Sequence, residues 1–429
     1  MITQDPFDTS LVPPALLALD LESLAHEFGT PLFVYDESDL RARCREYAGQ
    51  FGDDSVAYAS KAFLCTAMAR LVAEEGLHLD VATGGELHVA LHAGVPAERI
   101  IMHGNNKSDD ELRAALDAGV GRIVVDSFDE LARLDRLVAT GDTTPTVLVR
   151  VTPGVEAHTH EFIETGTEAS KFGFTVSAGV ALEAVRRVVA SEHLRFGGLH
   201  CHIGSQIYRI DSFARAIEIL AALAAEVLEK TGATIDELNV GGGLGARYLA
   251  DDPVLEVSDY AKTLRAALEQ SWTEAGLTSL PRLVVEPGRS IAAPAAITVY
   301  RVGTVKELAG IGTYVAVDGG MSDNPRPVLY GAGYEAYLPA RVHEPRPLRC
   351  NVVGKHCEQG DVIVAGACLP AGVEPGDLLV TPATGAYGIS MASNYNKVPR
   401  PAVVFVRDGQ ARVVVRRETV DDLVRLDEP

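Results

Sequence analysis

Short hydrophobic runs recur along the first two thirds of the chain, and most are followed by a loop and an amphipathic helical stretch. Eight strand-like runs are centred near Val56, Leu79, Ile100, Val124, Leu148, Leu199, Val240 and Val284. Eight strands that alternate with helices predict an α/β fold of the (β/α)8 or TIM-barrel type. A doubly wound open sheet is the main structural alternative.

Beyond this region the pattern changes to short β-rich runs such as AAITVYRVGTV, TYVAVDG and DVIVAGA. Asp408-Gly409 lies between two alternating runs, which is a strong hairpin signal. We therefore expect a C-terminal all-β domain over residues 296–429, joined by the N-terminal segment 1–35 through LFVYD near Phe33. This division leaves residues 36–295 for the barrel.

Composition narrows the functional classes. At 429 residues the chain can form two domains, and its net charge of -21 argues against a nucleic-acid partner. We find no basic, apolar leader and no uncharged stretch long enough to span a membrane, so we expect neither. The six scattered cysteines favour free thiols and hence a reducing cytoplasm.

Chemically active side chains coincide with the carboxyl ends of the predicted strands, where such barrels carry their active sites. Lys61 follows strand one, in YASKA. An apolar barrel mouth would lower the pKa of this lysine and prepare its amine for Schiff-base chemistry. A solvated lysine at a strand end is the more frequent situation, and position alone does not decide.

The run NVGGGLG ends strand seven and opens a strand-to-helix turn. Its glycines allow close approach of an anion to backbone N–H groups, which suits a phosphate, but a plain tight turn is an equal alternative. The run is not a Walker loop, because no Lys-Ser/Thr pair follows it.

Glu286 lies in VVEPGRS, at the end of the buried strand eight, and a buried carboxylate needs a partner. A protonated pyridine nitrogen and a salt bridge to Arg289 are equally suitable partners. His200 and His202 share one strand face. No neighbouring carboxylate-and-histidine set completes a metal site, so we expect no metal. An imidazole stacked on an aromatic cofactor and a hydrogen-bonded core histidine remain as alternatives.

A second group of candidates lies in the β-rich region, in DNPRPVLYG, VVGKHCEQGD and TGAYGIS. Arginine and tyrosine suit a carboxylate ligand, and glutamate suits an ammonium group. The candidates are Arg326, Tyr330, Cys357, Glu358 and Tyr387. Each of them alone is also compatible with an ordinary surface residue.

Taken together, these segments resemble the fold-type III pyridoxal-phosphate decarboxylases, and within them the diaminopimelate decarboxylase family. The similarity runs over nearly the whole chain and in order. It rests on YASKA, HTHEFIETG, SKFGF, GLHCHIGSQI, GGGLG, EPGR, DGGMSDNPRPVLY, CEQGD and GAYGISMASNYN. The resemblance implies pyridoxal 5'-phosphate as cofactor and decarboxylation of meso-2,6-diaminopimelate to L-lysine and CO2.

The resemblance also implies residue roles. Lys61 would bind the cofactor covalently, His202 would stack on its ring and Glu286 would face its ring nitrogen. The phosphate and the rest of the cofactor would be held by Gly242, Gly243, Pro287, Gly288, Arg289 and Tyr387.

The substrate would be bound by Arg289, Arg326, Tyr330, Glu358 and Tyr387, the first three on its distal carboxylate and Glu358 on its distal ammonium. Cys357 would be the general acid, reaching across a homodimer interface into the partner's site. HTHEFIETG resembles a flexible loop over the pocket. One departure is GKHCE, where many relatives have GPxCE, so Lys355 and His356 add charge that would tune the thiol.

Three alternatives remain. One is a decarboxylase of another basic or D-diamino acid on the same scaffold, although Arg326 and Tyr330 favour a substrate with a distal carboxylate. A racemase is less favoured, because arginine rather than glutamate would then face the ring nitrogen. The third is a non-catalytic cofactor-binding homologue, which would be expected to lose Lys61 or Cys357.

Overall fold

A computed structural model describes residues 5–139, 143–155 and 170–428. The chain divides into two compact units. The barrel unit comprises Arg43–Gly245 and Leu255–Gly288, and the β-rich unit comprises Met1–Ala42, Ala246–Val254 and Arg289–Pro429. The sequence did not anticipate that residues 246–254 belong to the β-rich unit, and the domain boundaries inferred from it remain a prediction.

The first ten strands precede or form the barrel. They are β1 (Leu32–Asp36), β2 (Ala57–Ala59), β3 (His78–Val81), β4 (Ile100–Met102), β5 (Arg122–Val125), β6 (Thr146–Thr152), β7 (Phe174–Thr175), β8 (Arg195–His200), β9 (Glu237–Asn239) and β10 (Arg282–Val284). The remaining strands follow in the β-rich unit. They are β11 (Ala296–Leu308), β12 (Gly312–Val317), β13 (Leu348–Val353), β14 (Val362–Leu369), β15 (Leu378–Pro382), β16 (Ala402–Arg407) and β17 (Gln410–Val415).

The α-helices alternate with the strands in the barrel and are sparse elsewhere. They are α1 (Pro14–Leu17), α2 (Leu21–Phe28), α3 (Glu37–Phe51), α4 (Thr66–Glu74), α5 (Gly84–His92), α6 (Asp109–Ala118), α7 (Phe128–Val138), α8 (Val180–Ala190), α9 (Asp211–Thr231), α10 (Val257–Glu274), α11 (Arg289–Ala292) and α12 (Arg326–Tyr330). No helix in the described ranges is both long enough and apolar enough to cross a bilayer.

The barrel sheet is parallel, in the order β10-β9-β8-β6-β5-β4-β3-β2, with β7 paired to β6. A parallel bridge between Val56 and Val285 closes it, and Ala57 N–H donates to the Val285 carbonyl at 2.9 Å. The (β/α)8 prediction is therefore confirmed, and all eight strands lie where the hydrophobic runs predicted them. The open-sheet alternative is wrong.

Local sequence explains why β3, β4 and β5 are followed after a few residues by a helix. The side chains of Thr83, Ser108 and Ser127 cap α5, α6 and α7 and accept from the N–H of a glutamate three residues on. Such caps satisfy backbone donors at the start of a helix and make the strand-to-helix turn short. The strand ends and their side chains therefore gather at one rim. Ala57, Ile101, Val124 and Leu148 form a buried apolar cluster in this unit.

The β-rich unit contains a mixed sheet in the order β14-β13-β12-β11-β1-β16-β17, with β15 also paired to β11. Strand β1 lies between β11 and β16, as expected for LFVYD. Asp408 and Gly409 connect β16 to β17 with φ of 52° and 74°, the left-handed conformation of a type I′ hairpin turn. The predicted hairpin is confirmed.

Candidate active site

Glu286 is a buried carboxylate just after β10, and residues from three other strand ends surround it. His103 Nε2 lies 2.9 Å from Oε1, and His200 Nε2 lies 3.1 Å from Oε2. Asn239 donates its side-chain N–H to Oε1 at 2.8 Å. The partners of Glu286 within the barrel are thus imidazoles and an amide, contributed from the carboxyl ends of β4, β8 and β9.

The protonation states of this group follow from burial and mutual contact. Burial alone would raise the pKa of Glu286, but contact with His103 and His200 holds that pKa well below its ordinary value. Burial lowers the pKa of His200 to about 4, so its imidazole is neutral at pH 7. Burial also opposes protonation of His103, but Asp80 and Glu286 outweigh it and raise the pKa of this imidazole. We therefore assign an ionised Glu286 and a neutral His200, with protonation of His103 favoured by the neighbouring carboxylates.

The ligand atoms of His103, His200 and Glu286 lie within 4.8 Å of one another, which is the spacing of a metal-binding group. Sequence reasoning did not anticipate this set, because it paired His200 with His202. Hydrogen bonding and ion pairing account for the set, and we derive no metal from it.

Lys61 lies in a short 3-10 turn, Ser60–Ala62, directly after β2. Its side chain is exposed. Burial raises the pKa of Asp80 and of Glu86, and the positive charge of Lys61 offsets part of that rise. Lys61 therefore lies in an exposed, charged environment, whereas the sequence suggested an apolar barrel mouth. Lys61 also disfavours protonation of His103 and His202, which places its amine electrostatically within the same group of strand ends.

His202 follows β8 on the rim of the barrel. Its Nδ1 accepts the backbone N–H of Gly242 at 3.2 Å. Burial, followed by the charges of Lys61 and Arg150, puts the pKa of His202 well below its ordinary value. With Nδ1 as an acceptor, the neutral ring carries its proton on Nε2. The imidazole is therefore uncharged and has a fixed tautomer.

The glycine turn after β9 is required by close packing. Gly243 has φ of 119°, and a Cβ on it would lie 2.3 Å from the Gly204 carbonyl oxygen. A Cβ on Gly242 would lie 2.1 Å from the carbonyl oxygen of Glu286. These contacts explain the glycines without a ligand, so the tight-turn alternative has direct support. Phosphate binding by Gly242 and Gly243 remains a prediction.

These residues fit pyridoxal phosphate. The group contains an amine, an ionised carboxylate and a flat neutral imidazole, which match the cofactor's aldehyde, pyridinium nitrogen and ring face. Glu286 Oε2 has one hydrogen-bond partner, His200, among the described residues, and a carboxylate oxygen can accept two. A place for a pyridinium N–H therefore remains on this oxygen.

The β-rich unit contains two buried guanidinium groups surrounded by tyrosines. Arg289 donates to the Tyr248 hydroxyl at 2.9 Å, and its guanidinium carbon lies 4.7 Å from the Tyr387 ring centre. Arg326 donates to the Tyr334 hydroxyl, and its guanidinium carbon lies 4.4 Å from the Tyr248 ring centre. We call Arg289, Arg326, Tyr248, Tyr334 and Tyr387 the arginine–tyrosine cluster.

This cluster is suited to an anion. Within the described ranges Arg326 forms no ion pair with a carboxylate, and its buried Nε has no hydrogen-bond partner. Burial opposes the charge of Arg326, but the surrounding phenols raise its pKa, so it stays cationic. A buried cation without a carboxylate is costly, and an anionic ligand would relieve that cost.

The predicted residues of this unit other than the two arginines fall into three environments. Tyr387 has φ of 59°, a left-handed conformation that is costly for a tyrosine and is typical of functional sites. Cys357 and Glu358 are exposed on the loop between β13 and β14. Tyr330 is half-buried at the end of α12, and the rings that contact the guanidiniums are those of Tyr248, Tyr334 and Tyr387. The HTHEFIETG segment, residues 158–166, lies outside the described residues.

Sequence reasoning did not identify His103, Asn239, Tyr248 or Tyr334. His103 ends the predicted strand RIIMHG, and Asn239 ends β9, so their position after a barrel strand was an available signal. Tyr248 and Tyr334 lie in irregular segments, and no pattern in the sequence distinguished them.

Comparison with known proteins relates this geometry to a family. Residues 37–293 match the model of the pyridoxal-dependent decarboxylases, pyridoxal binding domain. The chain is 52% identical over 421 residues to diaminopimelate decarboxylase of Mycobacterium tuberculosis, covering 96% of this chain and 94% of the relative.

Solved structures agree. Diaminopimelate decarboxylase from M. jannaschii in complex with L-lysine has a TM-score of 0.88 and 33% identity, with 96% of this chain and 94% of that chain covered. The Helicobacter pylori enzyme with L-lysine has a TM-score of 0.87 and 31% identity, with coverage of 95% and 99%. The chain belongs to the diaminopimelate decarboxylase family of pyridoxal-dependent decarboxylases.

Proposed function

We propose that this chain decarboxylates meso-2,6-diaminopimelate to L-lysine and CO2 with pyridoxal 5'-phosphate as cofactor. The observation that carries the choice of substrate is the arginine–tyrosine cluster, with a buried Arg326 that lacks a carboxylate partner among the described residues. A diamino acid with a distal carboxylate supplies that partner, whereas ornithine and lysine do not. Relatives solved with L-lysine bound support a substrate of this size.

Pyridoxal phosphate, when bound, supplies a ring that withdraws the electrons released as the α-carboxylate leaves as CO2. The barrel residues prepare its site. Lys61 would offer the amine that holds the cofactor. Glu286, whose pKa is lowered by its histidine neighbours, is ionised and would accept a proton-bearing ring nitrogen. His202 is neutral, and its ring is fixed by the hydrogen bond from the Gly242 N–H. It would therefore offer a flat, uncharged surface to the cofactor ring.

Binding far from the reacting carbon orients the bond that breaks. Arg289 and Arg326 would bind the distal carboxylate of the substrate, and Tyr248 and Tyr334 hold the two guanidiniums in place. Tyr330 would complete this part of the site, and Glu358 would accept the distal ammonium. Gly288, Pro287 and the glycine turn would support the cofactor's phosphate.

Cys357 would donate the proton that replaces the lost carboxyl group. We propose that it does so across the interface of a homodimer, because the thiol is exposed in the single chain. A cytoplasmic location is also proposed. Cys201, Cys350, Cys357 and Cys368 are free thiols, which fits a reducing compartment.

The decisive experiment is a substrate panel assayed for CO2 release with and without added pyridoxal phosphate. We expect turnover of meso-diaminopimelate and at most weak turnover of ornithine, arginine and lysine. Lys61→Ala should abolish both turnover and the visible absorption band of the bound cofactor. Lys262→Ala, at an exposed lysine of α10, is the control. A cofactor absorption band without turnover of any diamino acid would favour the non-catalytic homologue. Loss of configuration at the substrate α-carbon without release of CO2 would favour a racemase.

Arg326→Met tests the choice of substrate directly. Removing one partner of a buried charge pair costs about 2–5 kcal/mol, so kcat/KM for diaminopimelate should fall at least thirtyfold, roughly. Cofactor absorbance should persist, because the barrel residues are intact. An unchanged kcat/KM would remove the basis for a distal carboxylate.

Shared sites can be tested by mixing Lys61→Ala chains with Cys357→Ala chains. If each site uses residues from two subunits, the mixed dimers regain part of the activity. No recovery after confirmed subunit exchange would contradict the shared-site arrangement.

A further inference from the structure

The loop that carries Cys357 and Glu358 joins β13 to β14 and has a rigid base. The carboxylate of Asp361, which is buried, accepts the N–H of His356 at 2.8 Å and the N–H of Met321 at 2.7 Å. The Gly354 N–H donates to the Asp361 carbonyl at 2.9 Å. The two ends of the loop are therefore fixed to each other.

His356 points into this base. It is buried, its Nε2 lies 2.8 Å from the Ser322 hydroxyl oxygen and its Nδ1 lies 3.2 Å from Asn396 Oδ1. The sequence suggested that this histidine adds charge that tunes the thiol. The structure instead gives it a hydrogen-bonded structural position beneath the loop.

Asn396 connects His356 to the reactive residue. Its Oδ1 also accepts the backbone N–H of Cys357, at 3.3 Å. One amide oxygen has two lone pairs, which suffice for both contacts. Asn396 has φ of 52° and ψ of 25°, the left-handed conformation that asparagine tolerates better than most residues. The backbone turn and the amide together aim this oxygen at Cys357.

The preceding residue contacts the other functional side chain. The Tyr395 hydroxyl donates to Glu358 Oε1, and this hydrogen bond raises the pKa of Tyr395, so the phenol remains a donor. Its ring centre lies 5.4 Å from that of His356. Glu358 is exposed, and without this contact its long side chain would sample many rotamers.

We propose that Asn396 and Tyr395 are the positioning residues of the Cys357–Glu358 pair, the first fixing the backbone of the acid and the second fixing the carboxylate that receives the substrate's ammonium. Neither residue needs to touch the substrate or the cofactor. This inference rests on the proposed function for the roles of Cys357 and Glu358, but the geometry that it describes is independent of turnover.

The first test is a matched pair of variants at one position. Asn396→Gly keeps the left-handed backbone but loses the acceptor, whereas Asn396→Asp keeps an acceptor oxygen. We expect the glycine variant to lose about three- to tenfold in kcat, the equivalent of one hydrogen bond, with KM unchanged. The aspartate variant should retain most of the activity.

A second readout does not depend on catalysis. The rate of iodoacetamide alkylation of Cys357, with the Cys357→Ala chain as the blank, reports how firmly the thiol is held. We expect a faster rate in Asn396→Gly than in the wild type and a near-normal rate in Asn396→Asp. Equal alkylation rates and equal kcat in the wild type and both variants would overturn the role of Asn396, as would equal damage in both variants.

Tyr395→Phe tests the second contact. We expect KM for diaminopimelate to rise about three- to tenfold with kcat nearly unchanged, because Glu358 contributes binding rather than proton transfer. Tyr314→Phe, at a half-buried tyrosine of β12, is the control and should change neither constant. An unchanged KM, or a fall confined to kcat, would overturn the role of Tyr395. Lack of turnover in the wild type would refute the proposed function instead, and the alkylation comparison would still decide the role of Asn396.

Discussion

The two ends of the barrel each contain a buried carboxylate held by two basic side chains, but the basic side chains differ. Glu286, at the carboxyl end, contacts His103 and His200. Glu237, the first residue of β9 at the amino end, accepts from Arg122 Nε and Arg282 Nη2, both at 2.6 Å. The same electrostatic problem of a buried anion is therefore solved with imidazoles at one end and guanidiniums at the other.

This difference matters because an imidazole can lose its proton and a guanidinium cannot. At the carboxyl end the charge can be redistributed when a ligand enters. At the amino end the two guanidiniums that hold Glu237 keep their charge, and charged residues from the strand starts line a cavity of about 540 Å³ beside Arg122 and Glu237. We interpret the first end as chemical and the second as structural, as in barrel enzymes generally.

The largest effect should come from Glu237→Gln. Removing one member of a buried ion pair leaves uncompensated charge, here on Arg122 and partly on Arg282, and costs about 3–5 kcal/mol of unfolding free energy. Denaturant unfolding measures this, and activity per folded molecule should be unchanged. Glu183→Gln, which removes the exposed pair with Arg187 on α8, is the control and should cost under about 0.5 kcal/mol.

Glu286→Gln should reduce activity more than stability, the reverse of Glu237→Gln. We expect kcat to fall by about 10²–10³, the effect of losing one charge that is preorganised for the reaction. The unfolding free energy should fall less than in Glu237→Gln, because His103 can deprotonate and leave no buried cation. A stability loss equal to that of Glu237→Gln, with kcat retained, would remove the contrast between the two ends.

His200→Gln tests whether His200 is neutral in the folded chain, through the pH dependence of the unfolding free energy. The pKa of His200 is about 4 in the folded chain and 6.5 ordinarily, so protonation favours the unfolded state. Its contribution to stability is complete above pH 6.5 and is lost as the pH falls toward 4, amounting to about 3 kcal/mol.

Glutamine can still donate to Glu286 but does not titrate. The unfolding free energy of the variant should therefore decline less than that of the wild type between pH 7 and 4. His103, with its raised pKa, acts in the opposite direction but remains in both chains. Parallel stability–pH curves would contradict the assignment of a neutral His200.

Arg282→Lys should have the smallest effect. The Arg282 side chain is 39% exposed, and lysine keeps the charge while losing the planar donor geometry. We expect a loss of about 1 kcal/mol or less, larger at low salt than at high salt, by denaturant unfolding. No salt dependence would indicate that Arg122 alone carries the interaction with Glu237.

The carboxyl rim of the barrel was accessible to prediction because strand period and helix caps are local signals. Their position after strands singled out Lys61, His202 and Glu286 as candidates, and their roles toward the cofactor stay predictions from the family resemblance. Asn239 and His103, which also contact Glu286, lie at strand ends in the same way. Many residues at strand ends have no function, so position alone did not distinguish these two. The arginine–tyrosine cluster was half identified, because Arg326 lies in a distinctive motif whereas Tyr248 and Tyr334 do not.

The sequence by itself determined the alternation of strands and helices and the Asp408–Gly409 hairpin, since these depend on neighbours within a few residues. Only the tertiary structure decided which partner each charge has. It placed Glu286 against His103 and His200, with room on one carboxylate oxygen for a ring nitrogen, and it buried His356 beneath the loop of Cys357. Partner choice depends on burial and on contacts between residues far apart in the chain, and no local pattern contains that information.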